Sequence, residues 1–464
     1  MRWTAKSITA NSIKSGLLLG ALLLAAPVAA QSDKEPDDYT RALAAGYKAQ
    51  FICSGLWNGG KSLADIKADE LTGIYSHIAG IVPTLNAEID EQKRQVRVSY
   101  STEMPTRTAI WNSETGCTGM PIGFTANQNA APSKQRTFHD ELPWPMGDRG
   151  AEAAQGEAFE PLMQAAMGTS GDNKYGGKTS AVLVIKNGQI VGEHYKQGHD
   201  LHTAQRTWSV AKSIAGTLIG HSVQQGLADV NAPVNIAAWT HEDDPRRQIT
   251  LDNLMRMASG LISDTAGNRT DPVYMGGASV SQRTTSWPLL YKPGTQFRYA
   301  NNDTLLAVHA VHDSAFDPYG FFRKIGMTRT YAETDWQGNY ILSSQVWTTA
   351  RDLGRLGMLY LNDGIWPYGE DKSQRLLPEN WREYVSSPSG PQPDREFGYG
   401  ATFWLMNKTD GVPTDSFGAF GNRGQYLVII PSLALVIVRR GYDTPDNSFD
   451  IAAFTRDAVS ASGS

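Results

Sequence analysis

The stretch from Thr207 to Gly220 leaves this chain few ways to fold. Val210, Ala211, Ile214, Ala215, Gly216, Leu218, Ile219 and Gly220 make nearly every side of the segment apolar or small. A helix built from them has no face to give to water, so it must run through a large core. Ser209 and Lys212 stand three apart at its start, on one face, where the two side chains can touch. A hydroxyl beside an amine is a nucleophile beside its base. Burial disfavours the charged amine and lowers a lysine pKa from about 10.4 toward the range where it accepts a proton. That is what a serine needs in order to attack. No other Ser-x-x-Lys occurs in the chain. The same four positions also describe an ordinary buried helix whose lysine reaches out to solvent.

The rest of the chain can supply the core that this helix demands. With 464 residues, 41% of them hydrophobic and 19% charged, it has room for one large or two medium domains. A net charge of −5 and a pI near 6.0 offer no basic field, and no Lys/Arg cluster stands out, so nucleic acid is not expected as a partner.

Residues 1–30 read as a signal peptide. Arg2, Lys6 and Lys14 precede the apolar run Gly16 to Ala26, and Val28-Ala29-Ala30 forms a small-residue cleavage site before Gln31. The run is shorter than the roughly 20 residues of a membrane span. The mature chain is expected to start near Gln31, periplasmic or secreted, without stable membrane insertion.

Two cysteines remain, Cys53 and Cys117. In an oxidising compartment a Cys53–Cys117 disulfide is the economical reading. Neither has a zinc-like partner in sequence, so neither a metal nor a cofactor is expected.

Residues 31–140 read as an N-terminal module and linker. Helical spacing from Tyr39 to Ile81 gives way to strand alternation at Val96, Val98 and Tyr100, then at Thr108 and Ile110. The polar run Ala126 to Arg136 reads as the linker. Residues 141–464 read as the main domain. A helix is expected over Phe159–Met167, followed by a hairpin over Ser180–Tyr195, whose Asn187-Gly188 pair tolerates the positive φ of a tight turn. A helix is expected over Thr348–Leu361. Two strands, Gln425–Ile430 and Ala434–Val438, form a second hairpin, and a last amphipathic helix runs from about Phe449 to Val459. Strands at both ends with helices between them imply an α/β (α+β) fold, an antiparallel sheet flanked by helices with a helical insertion.

Downstream of Ser209 come Tyr299-Ala300-Asn301 and then Ser416-Phe417-Gly418-Ala419, just before the penultimate strand. This order resembles the serine β-lactamase and penicillin-binding-protein superfamily, on its class C side near esterases and 6-aminohexanoate-oligomer hydrolases. There the three motifs are Ser-x-x-Lys, Tyr-x-Asn and Lys-Thr-Gly. Leu254 to Leu261, Lys292-Pro293-Gly294 and Thr349 to Leu353 are similar as well, and the resemblance covers roughly residues 150 to 460.

The resemblance implies roles for particular residues. Ser209 is the acylated nucleophile, Lys212 its base and Tyr299 the second acid/base group. Asn301 offers its amide to substrate, and the N–H groups of Ser209 and Ala419, next to Gly418, form the oxyanion hole. The departure is Ser416-Phe417-Gly418 in place of Lys-Thr-Gly, which removes the lysine that grips a substrate carboxylate. Arg423 either substitutes for that lysine or is a solvated loop arginine. An amide or ester hydrolase acting on a small ester, amide or peptide-like molecule is the implied function. A true β-lactamase or D-alanyl-D-alanine carboxypeptidase, and a binding protein that keeps the fold without turnover, stand beside it. The chain has no Gly-x-Ser-x-Gly elbow and no His-Glu-x-x-His.

If Ser209 is the nucleophile, a fluorophosphonate should leave its adduct there. Peptide mapping by mass spectrometry checks this, and an adduct on any other serine refutes the assignment.

Overall fold

Asn187 and Gly188 both take positive φ, 51° and 78°, and close the hairpin of strands Thr179–Lys186 and Gln189–Tyr195. In the computed structural model this hairpin is one flank of a seven-stranded antiparallel sheet. It pairs with Leu435–Gly441, which continues through Gln425–Ile430 and Phe417–Gly421 to two short strands, Trp404–Leu405 and Gly398–Tyr399. The sheet is thus assembled from segments more than two hundred residues apart, as the two expected hairpins require. The structure describes residues 36–125, 136–151, 158–169, 171, 173–263, 270–313, 315–369 and 373–463. The signal peptide expected at residues 1–30 and nearly all of the linker expected at 126–136 lie outside them.

Helices cover both faces of this sheet. One face carries the serine helix, Val210–Gln224, and the helix Ala350–Leu361, capped by Thr349. Gly354 and Gly357 let the second helix approach: a Cβ there would press on Leu183 and Ile185, or on Val436 and Leu427. The opposite face is covered by Glu160–Met167 and the last helix, Ile451–Ser462. Between the serine helix and the C-terminal strands lies the helical insertion, which includes Leu251–Met255 and Asn301–Val311. No helix among the described residues is long and apolar enough to cross a membrane.

The N-terminal segment has its own core. Helix Asp38–Trp57 packs on a four-stranded antiparallel sheet running from Ala87–Asp90 to Gly116–Gly119. Cys53 and Cys117 are bridged, with Cα atoms 6.1 Å apart, tying this helix to the last of those strands. The core is closed by residues from elsewhere, Ala204, Met275, Tyr331 and Trp347, and Asp37–Ser464 forms one compact unit. Trp347 and Tyr331 belong to a small three-stranded sheet, Gln205–Arg206, Val346–Thr348 and Tyr331–Ala332, that leads into the serine helix.

At this junction lies Glu333, fully buried. Ser54 Oγ (2.5 Å), Asn58 Nδ2 (2.8 Å), Gln50 Nε2 (3.0 Å) and the Cys117 N–H (3.4 Å) donate to its carboxylate. Burial pushes its carboxyl up to about 7 from an ordinary 4.5, against the pull of those donors and of Arg206. Between these two values the folded chain holds a proton that the unfolded chain has released. The stabilising contribution is therefore complete below pH 4.5 and lost as pH rises through 7. In urea denaturation Glu333→Gln should gain on the wild type by about 2–3 kcal/mol between pH 4.5 and 8. A difference that does not change with pH would refute this.

Candidate active site

Trp208 has φ +51°, an unusual value for a bulky residue, and the chain turns there directly into the serine helix. Arg206 holds the turn: its guanidinium lies 3.7 Å from the Trp208 ring centroid and donates to Ser344 Oγ at 2.7 Å. Ser209, the next residue, stands just before the first residue of the helix and borders a cleft of about 1080 Å³. Gly216 and Gly220 allow that helix to lie tightly against Thr402 and Trp381.

Lys212 is 1% exposed. Its Nζ lies 2.5 Å from Asn301 Oδ1, 2.9 Å from the Ser343 carbonyl and 3.4 Å from Ser209 Oγ. Tyr299 completes the group, with its phenol hydrogen-bonded to the Ser209 side chain and its ring 5.1 Å from Lys212 Nζ. Burial among aromatic side chains pushes that phenol up to about 12, while hydrogen bonds to Ser209 and Trp404 pull it down. At neutral pH it is a proton donor. Ser209 and Lys212 are thus brought together with Tyr299, which lies 90 residues after Ser209 along the chain. Asn301 borders the cleft and turns its amide to neighbouring side chains. Its oxygen serves Lys212, and Nδ2 donates to Thr270 Oγ1 at 3.0 Å, because a buried amine needs an acceptor.

The third motif sits three residues later than its sequence suggested. Phe417 and Ala419 are buried, and Phe417 packs edge-on against Tyr360 and Phe403 in the core. Gly418 faces Trp404 and Val428 across the sheet. The residues that border the cleft are Phe420, Gly421 and Asn422. Of strand Phe417–Gly421, only Phe417 and Gly418 pair with Trp404–Leu405, and beyond that point this strand meets the serine turn instead. A Cβ on Gly421 would lie 3.1 Å from the backbone nitrogens of both Ser209 and Val210 and would collide with the Thr207 carbonyl. Only glycine permits that approach. Gly421, not Gly418, is therefore the glycine that meets Ser209, and the residue after it is Asn422, not Ala419. The clue in the sequence was the hairpin: Gly421 pairs with Gln425 as the last rung before the turn, and a motif glycine at a strand end belongs there.

Arg423 fits neither expectation. It is buried with φ +58° and points away from the cleft, donating to the Asp69 carbonyl at 2.7 Å and lying over Tyr442. Arg395 and Arg298 border the cleft instead. Arg298 is held by the Leu261 and Ser263 carbonyls, whereas Arg395 is exposed and close enough to lower the Tyr299 phenol electrostatically.

Elsewhere, Asp140, Asp148 and His202 bring ligand-type atoms within 4.8 Å of one another. Arg329 pairs with Asp140 at 2.5 Å, and Arg351 and Arg355 pair with Asp148 at 3.1 and 2.9 Å. These guanidinium groups supply the positive charge that a metal ion would otherwise bring.

Comparison with known proteins agrees with this geometry. The family described as Beta-lactamase matches residues 157–459. A 6-aminohexanoate-dimer hydrolase of Paenarthrobacter ureafaciens is 27% identical over 294 residues, 56% of this chain and 72% of the relative. Among solved structures, a penicillin-binding-protein homologue from Caulobacter crescentus superposes with a TM-score of 0.52 at 12% identity, covering 66% of this chain and 98% of that one. A class C β-lactamase does so with a TM-score of 0.50 at 14% identity, covering 67% and 98%. At these identities the structural likeness speaks for the fold, while the family match spans well over half of the sequence. The chain belongs to the Beta-lactamase family of serine hydrolases.

Proposed function

We propose that this protein is an exported serine hydrolase that cleaves an amide or ester bond through an acyl-enzyme on Ser209. The observation that carries the reading is the convergence of Ser209 Oγ, Lys212 Nζ and the Tyr299 phenol at the floor of the cleft. Neutral Lys212 takes the hydroxyl proton as Ser209 Oγ bonds to the carbonyl carbon. The oxyanion is met by the N–H groups of Ser209 and Asn422 across the Gly421 approach. The carbon–leaving-group bond then breaks, and the leaving nitrogen or oxygen takes a proton from the Tyr299 phenol, which Lys212 restores. Water repeats the sequence and releases the acid. Export is supported by the signal-like residues 1–30 and by the Cys53–Cys117 bridge, which an oxidising compartment would keep.

The substrate class follows from what borders the nucleophile. Ala419 and Phe420 stand where the family's lysine and its neighbour would be, so this strand brings no cation to the cleft. The relative of Paenarthrobacter ureafaciens is named for the dimer of 6-aminohexanoate, and an unbranched amide or ester suits a cleft bordered by aromatic rings. A second reading, recognition of a carboxylate as in β-lactam turnover, is favoured by Arg395 at the cleft wall.

The test is kcat/KM for p-nitrophenyl butyrate and for nitrocefin in one buffer. A charge-assisted hydrogen bond to a carboxylate contributes about 1.5–3 kcal/mol, so its absence should leave nitrocefin slower by roughly one to two orders of magnitude. Faster nitrocefin turnover that Arg395→Ala abolishes would establish the second reading. Gly421→Ala should slow acylation of Ser209 by about a hundred-fold or more by displacing one oxyanion donor. Stopped-flow release of p-nitrophenol measures this, and an unchanged burst rate would refute the placement of the strand.

A further inference from the structure

Residues 37–125 lie outside the family match, which begins at residue 157, yet one of them borders the cleft. Tyr75 stands there beside Ser209 and Trp208. Its ring lies 6.0 Å from Trp208 and 6.0 Å from Tyr47, edge-on to the latter. Arg206, already stacked on Trp208, hydrogen-bonds the Tyr75 phenol. The backbone that carries Tyr75 is held on both sides. On one side Arg423 grips the Asp69 carbonyl, and on the other His77 pairs with Asp271 at 3.1 Å. A tyrosine ring fixed in this way loses little freedom when a substrate packs on it.

A second aromatic group borders the same cleft. Tyr299, Trp404 and Phe420 pack in succession, with centroids 5.3 and 6.3 Å apart. Tyr299 is the group that serves the leaving atom in the mechanism proposed above. Tyr75 and Trp208 are the other aromatic residues that border the cleft with Ser209, and the acyl portion, which stays on the serine, is assigned to them. We propose that Tyr75 of the N-terminal segment, with Trp208, is the specificity-determining wall for the acyl portion of the substrate and selects extended apolar or aromatic acyl groups. This rests on the acyl-enzyme reading of Ser209. It gives the N-terminal segment a share in the active site that the family's own region does not provide.

Alkyl fluorophosphonates test the wall, because the alkyl arm takes the place of the acyl chain while fluoride leaves. Labelling rates at Ser209 are measured by intact mass for methyl and octyl arms in the wild type, Tyr75→Ala, Tyr75→Phe and Tyr75→Trp. The octyl arm should react faster in the wild type. Tyr75→Ala should reduce the octyl-to-methyl ratio of labelling rates about ten-fold, since each added apolar contact in a pocket is worth a factor of this order. Tyr75→Phe should keep the advantage, and Tyr75→Trp should slow octyl but not methyl. An octyl advantage that survives in both Tyr75→Ala and Tyr75→Trp, or arms that slow equally in each variant, would overturn the proposal. Failure to label Ser209 in the wild type overturns it together with the nucleophile. Tyr75-dependent labelling with no turnover of p-nitrophenyl esters sinks the hydrolase reading and leaves the wall standing.

Discussion

An amine sealed inside a protein must find its partners there, and Lys212 finds them on three separate stretches of chain. Ser209 is on its own helix, Asn301 opens a helix of the insertion, and Ser343 lies in the loop before a strand of the small sheet. Leaving such a buried polar group unmatched costs about 1–3 kcal/mol, so any displacement of one stretch is resisted by the other two. The same contacts hold the amine beside Ser209 Oγ and bring Tyr299, two residues before Asn301, to the same place.

The strand that completes the site is placed by a different constraint. Arg440, fully buried on Leu435–Gly441, donates to the carbonyls of Gln205, Arg206 and Thr348 and to the Gln425 side chain. It joins the large sheet to the small one at the residues that precede Ser209. A buried guanidinium offers five donors in a rigid fork, and here four acceptors from both sheets use it. The approach is then so close that Gly421 can carry no side chain, which brings the edge of its strand within reach of a tetrahedral intermediate.

The N-terminal segment works as a buttress on this arrangement. Arg206 faces Phe51 and Tyr75 on one side and Trp208 on the other, so the left-handed turn at Trp208 is held partly by residues outside the family's own region. Arg423, which the sequence suggested for the substrate, belongs to this buttress. Its left-handed backbone turns it out of the cleft and onto Asp69.

Much of this was legible in the residues because it depends on short-range rules. Hydrophobic periodicity marked the helices, Asn187-Gly188 marked the hairpin, the all-round apolar surface after Ser209 marked a buried helix, and Ser-x-x-Lys with Tyr-x-Asn marked the groups that the structure brings together at the cleft. The two cysteines could be paired because no other partner existed in the sequence. The frame of the third motif was not legible. Gly418, Gly421 and Gly424 recur at one spacing along that stretch, and only the meeting of a strand end with the Thr207 to Val210 backbone selects among them. The roles of Arg423, Asn301 and Tyr75 were hidden for the same reason. Each is set by which segment packs opposite, and Asp69, Lys212 and Trp208 lie between 89 and 354 residues away from Arg423 or Asn301, or across the junction from Tyr75. The sequence by itself determined which groups can react. Tertiary packing decided which face the cleft, because burial and close approach belong to pairs of segments and are written in neither one alone.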